Sequence, residues 1–79
     1  MGWADRWTSV VGIENATEDR EQGMNLVAAW LAERGIDMDR FAPADIRVDK
    51  WHVRSDQGAH SHKYTFWVRT SALDRSEGR

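Results

Sequence analysis

From Ile46 to Thr70 the chain carries two runs rich in β-branched and aromatic residues around a polar interval that contains Gly58, the pattern of a β-hairpin. In the second run Tyr64, Phe66 and Val68 share one face, and Lys63, Thr65, Trp67 and Arg69 the other. The first run changes phase. Ile46 and Val48 have one parity and Trp51 and Val53 the opposite, so a β-bulge near Asp49 and Lys50 is expected. An even-numbered loop, from a tight Gln57-Gly58 turn to one spanning Ser55 to His62, would bring Trp51 and Val53 into the core with Tyr64, Phe66 and Val68. The reverse face then collects Lys50, His52, Arg54, Lys63, Thr65, Trp67 and Arg69, a cationic surface with an indole at its centre. An odd-numbered loop would put Trp67 beside Trp51 and break that segregation.

Upstream, residues 5 to 13 read as a strand with Trp7, Ser9, Val11 and Ile13 on one face and Thr8 and Val10 on the other. Asn15-Ala16-Thr17-Glu18 has the form of a capping box, which predicts a helix from Thr17 to Arg34 that stops at Gly35. The same Asn15-Ala16-Thr17 is a glycosylation sequon, but no secretion signal accompanies it and the cap is the better account. Met24, Val27, Ala28 and Leu31 follow helical spacing, and Leu26 with Trp30 widens the stripe to about 200°. Either Trp30 wraps onto the sheet, or Leu26 and Trp30 meet a second copy of the chain. In the connector 36 to 45, Ile36, Met38 and Phe41 are expected to plug the end of the core. The tail from Ser71 is polar and is expected to fray after Leu73, and Trp3 reads as a loose terminal aromatic. The order predicts an α+β fold: a two-layer sandwich with one helix packed on a three-stranded sheet, in the order β-α-β-β, ending in a C-terminal β-hairpin. Residues 1–79 form a single domain, frayed at 1–4 and 74–79.

Composition sharpens this. A chain of 79 residues without cysteine has neither a disulfide nor a thiolate ligand or nucleophile. Five tryptophans are more than so small a core hides, which points to a surface used for binding or self-association. The net charge of -2 hides a polarity. Acidic side chains outnumber basic ones over residues 1 to 35, while Ile46 to Thr70 sets Arg47, Lys50, Arg54, Lys63 and Arg69, with all three histidines, against Asp49 and Asp56. Neither a membrane-length apolar run nor a signal peptide is present, which makes a soluble, by default cytoplasmic, protein the expectation.

Three constellations could carry chemistry. His52, His60 and His62 could converge on a divalent metal with Asp56 as a fourth ligand, although an HxH pair in polar surroundings is common and no second shell is identifiable. His52 with Lys50 or Arg54 could serve acid–base catalysis in a small nuclease, but these residue types belong to any basic hairpin. Asp37 and Asp39 lack the glycine and terminal glutamate of a calcium loop. The Val11-Gly12 strand end, single helix and aromatic hairpin resemble the dodecin flavin-storage proteins in element order, while the longer connector and the lack of an aligned flavin-stacking motif depart from them. The expected function is a non-enzymatic protein-interaction module, a regulator or phage-type inhibitor using Lys50, His52, Arg54, Lys63, Trp67 and Arg69. Single-stranded nucleic-acid binding through that face is the alternative. A small oligomeric flavin- or metal-binding protein is the second. No cofactor and no catalytic residue is assigned.

Overall fold

The computed structural model describes residues 6–78, with side chains described as far as Asp74. The expectations for residues 1–4 and for Trp3 fall outside the described residues. Strand β1 (Trp7–Val11) is followed by helix α1 (Arg20–Ala32), strands β2 (Ile46–Arg54) and β3 (His60–Arg69), and helix α2 (Thr70–Gly78). The strands form one antiparallel sheet in the order β1-β3-β2, with the predicted helix against it. Helix α2 occupies the stretch read as a polar tail. Its Ala72 and Leu73 enter the core, and that tertiary burial carries a segment whose own polarity gave no strand or helix period.

The hairpin register is set by its turn. Ser55 N–H donates to Ala59 O at 2.8 Å, leaving Asp56, Gln57 and Gly58 as the loop, and Gly58 N–H closes the turn onto Ser55 O at 3.0 Å. Gly58 has φ 85°, the left-handed position of a three-residue hairpin loop. An odd loop reverses the expected parity. Lys63 stands opposite Trp51, His62 opposite His52 and Phe66 opposite Val48, in an unbroken ladder. Ile46 and Val48 therefore share the face of Tyr64, Phe66 and Val68, whereas Trp51 and Val53 lie on the reverse, with Thr65 and Trp67. No bulge forms at Asp49 and Lys50. The register shift lies in β1, between Ser9 and Val11, and it turns Val11 inward opposite Phe66 while Trp7 and Ser9 stay outward.

The helix begins later than expected. Thr17 is drawn into a bridge with Tyr64, donating at 3.4 Å and accepting at 2.7 Å, because β3 runs on past the end of β1 and its backbone needs a partner there. Asp19, rather than Asn15, is then the N-cap, and its carboxylate accepts from Glu21 N–H at 2.9 Å. At the other end Gly35, at φ 74°, donates to Ala32 O, and Ile36 N–H reaches back to Leu31 O, both at 2.9 Å, the paired bonds of a Schellman stop.

Val27 and Leu31 from α1, Val11, Phe66 and Val68 from the sheet, Ile36 and Phe41 from the connector, and Ala72 and Leu73 from α2 make the core. Met38 and Trp30 pack against it, so the connector anchors and the wrapping of Trp30 are as the spacing implied. Leu26 stays 43% exposed. Gly23 sits directly over the Phe66 ring, where a Cβ would collide with Cε1 and Cζ. Only glycine lets the helix come this close. Asp37 caps the turn Met38–Arg40 by accepting from Asp39 N–H at 3.0 Å, a structural role for acids that could pass for metal ligands.

Candidate functional site

The buried residues of both helices belong to a single cluster, and the sheet residues in it are those of the Phe66 and Val68 face. The reverse face has Trp67 at its centre on β3, flanked across the ladders by Ser9 on β1 and Arg47 on β2. Trp7 lies opposite Arg69, and Trp51 opposite Lys63. Three of the five tryptophans thus share one side of a three-stranded sheet. Alternation places them there, and the two turn and bulge geometries decide which side it is.

Within this face the polar atoms hold the rings in place. Trp51 Nε1–H donates to Thr65 Oγ1 at 2.8 Å, and Thr65 is buried although Trp51 itself is 45% exposed. The guanidinium of Arg69 lies 4.8 Å from the Trp7 ring centroid, within cation–π range. It also donates to Asp45 Oδ1 at 3.0 Å and to Ala44 O at 3.1 Å, tying the sheet to the Pro43–Asp45 turn. Arg47 donates to Asp49 Oδ1 at 3.2 Å. Among the described residues Lys63 is in no ion pair. Trp67 Nε1–H is buried and meets no acceptor among the described residues, a condition that costs about 1–3 kcal/mol.

The residues expected to form one cationic patch are divided between two faces. Lys63, Trp67 and Arg69 lie on the tryptophan face. Lys50, His52 and Arg54 lie on the other, with His60, His62 and Tyr64, the last of which packs against the core. The correction follows from loop parity alone. Trp7, Trp51 and Arg47, which the even-loop reading left out of the patch, belong with Trp67. The signal for them was present in Ser55-Asp56-Gln57-Gly58, since a polar residue opening a type I turn and glycine at its fourth position specify a three-residue loop.

On the opposite face the three imidazoles come together at the outer end of the hairpin. His60 Nδ1 is 2.9 Å from His52 Nε2, and the His52 ring stacks with those of His60 and His62 at centroid distances of 4.9 and 5.4 Å. Lying ring on ring, these histidines are not arranged as a ready-made metal shell, and none exists among the described residues.

A third feature is a groove of about 270 Å³ between α1 and β1, lined by Val10, Leu26, Ala29 and Trp30. Arg34 stacks on the outer side of Trp30, 3.6 Å from the ring centroid, and Ile13 is exposed nearby along the chain. Among the described residues no helix is long and apolar enough to cross a membrane. Compared with protein-family models, curated proteins and solved structures, the chain matches none, so the likeness to dodecins rests on element order alone.

Proposed function

We propose that this chain is a non-enzymatic interaction module that binds another protein through the tryptophan face of its sheet. The observation that supports the reading is that Trp7, Trp51 and Trp67 share the face opposite the core cluster, with Trp51 45% exposed. Aromatic residues fixed at the centre of a surface and rimmed by cations have the composition of binding hot spots. The rings are already oriented, Trp51 by Thr65 and Trp7 by Arg69, so little side-chain freedom is lost on association. The partner that fits has an apolar centre and a carboxylate at its rim, facing Lys63. Its binding would occlude the partner's own surface, as a regulator or inhibitor does.

Nucleic acid fits this face less well. Two of its cations, Arg47 and Arg69, already hold Asp49 and Asp45, and a phosphate would have to displace those carboxylates. The test is mass in solution together with co-purification, with Trp51→Ala and Lys63→Glu as probes. A partner, or a second copy, is expected to be held by the native chain and weakened at least about tenfold by Trp51→Ala. Partner binding that neither substitution changes would refute the reading. A single-stranded oligonucleotide bound at low salt and lost at high salt would replace it with the nucleic-acid alternative.

A further inference from the structure

We propose that the outer edge of β2 is a second docking site, which takes an extended acidic segment of a partner protein as a fourth strand of the sheet. It goes beyond the interaction reading, because it uses the edge of the strand and two of its cations rather than the three indoles.

The hydrogen-bond parity of the hairpin supplies the first reason. Ser55 N–H donates inward to Ala59 O, and the ladder from Arg54 and His60 onward is unbroken, so Val53, Trp51, Asp49 and Arg47 turn their backbone groups toward β3. Val48, Lys50, His52 and Arg54 therefore turn theirs outward. Strand β3 obeys the same alternation on its other side, where Tyr64 exchanges both backbone bonds with Thr17. Strand β2 is terminal in the order β1-β3-β2, and among the described residues its outward groups meet no backbone partner. Each of these residues offers one donor and one acceptor. Over nine residues the edge is long and free of bulges, whereas edges are usually kept short, bent or covered.

Charge decides the occupant. On the side of the ribbon that bears His60 and His62, Lys50 and Arg54 are exposed and in no ion pair among the described residues. A second copy of the chain fits poorly. For two β2 strands to join antiparallel with their faces matched, residue numbers paired across the seam must sum to an even value. Centring on Lys50 or His52 sets Lys50 against Lys50 or Arg54, and centring on Asp49 opposes two carboxylates. Centring on Trp51 gathers Lys50 and Arg54 of both copies along one seam with no carboxylate among them. Centring on Val48 needs the Ile46 N–H, which is already given to Pro43 O. Like charges directly opposite weaken pairing, so Lys50 guards the edge against its own kind. The same cations attract a strand whose alternate side chains are carboxylates set across from Lys50 and Arg54. A nucleic acid would meet the charges but leave the edge amides unpaired.

The probe is a blocked peptide of about seven residues that alternates glutamate and threonine, added to the full chain. One peptide per chain is expected to bind, with slowed amide exchange at Val48, Lys50 and His52 and an affinity that falls with salt. The Lys50→Glu, Arg54→Glu double variant is expected to lower the affinity at least about tenfold, since each site exchanges an attraction of up to about fivefold for a repulsion of similar size. A peptide with lysine in place of glutamate should then bind the variant in preference to the native chain. Both positions are exposed and outside the core, and circular dichroism checks that the variant is folded. A central proline in the glutamate peptide, which removes a ladder donor, should abolish binding. Equal binding of the proline peptide, exchange unaltered at the edge amides, affinity unchanged in the double variant, or the same amides protected by self-association of the chain alone would each overturn the proposal. None of these outcomes bears on the tryptophan face, which Trp51→Ala tests against its own partner.

Discussion

The two faces of this sheet are made from the same three strands, yet one is closed by packing, while on the other the indoles are held by a hydrogen bond and a cation–π contact. On the closed face Phe66 and Val68 are fully buried beneath Val27 and Leu31. On the open face the largest side chains are indoles, and the polar groups buried there are Thr65, which accepts from Trp51, and the Trp67 Nε1–H. The difference follows strand parity: Tyr64, Phe66 and Val68 of β3 face the core, while Lys63, Trp67 and Arg69 lie on the reverse face, the one proposed to meet a partner.

The strongest way to break this comparison is to show that the faces contribute equally to folding. Phe66→Ala is expected to destabilise the chain by about 3–5 kcal/mol in urea unfolding, enough to consume much of a small domain's stability. Gly23→Ala should follow at about 1–3 kcal/mol, since the added methyl meets the Phe66 ring. Combining it with Phe66→Leu should cost less than the sum, which a double-mutant cycle reads directly. Asp45→Ala removes the carboxylate that holds Arg69, a pair whose side chains are 13% and 22% exposed, and should cost about 1–2 kcal/mol. Trp51→Ala should cost about 1–2 kcal/mol, well below Phe66→Ala, because its ring is half in solvent already although buried Thr65 loses its donor. A Trp51 variant as unstable as the Phe66 variant would erase the distinction between the faces.

Much of the architecture was legible in local chemistry. The alternation of Lys63 to Arg69, the spacing of Val27 and Leu31, the stop at Gly35 and the anchors Ile36 and Phe41 each rest on a rule confined to a few residues. What escaped was set by counting or by distant contacts. The hairpin parity turned on whether Ser55 and Ala59 pair, and choosing an even loop moved Trp51 to the wrong side. The start of α1 was decided by Tyr64, forty-seven positions from Thr17 along the chain, whose backbone groups needed a partner. Helix α2 owes its place to the burial of Ala72 and Leu73 in a core that its own composition does not announce. The candidate site was partly legible for the same reason: Lys63, Trp67 and Arg69 were grouped by alternation within one strand, whereas Lys50, His52 and Arg54 were joined to them across a turn.

The bulge in β1 gives this fold one place where chain length can change harmlessly. With Val10 deleted, an uninterrupted ladder would still set Val11 across from Phe66, so inside and outside would keep their identities. A single-residue loss in the middle of β2 or β3 has no such refuge, because every side chain beyond it would turn over. Lineages or libraries that vary the length of this protein should therefore gather their one-residue gaps between Ser9 and Val11, at the expense of the wall that Val10 gives to the groove beside α1.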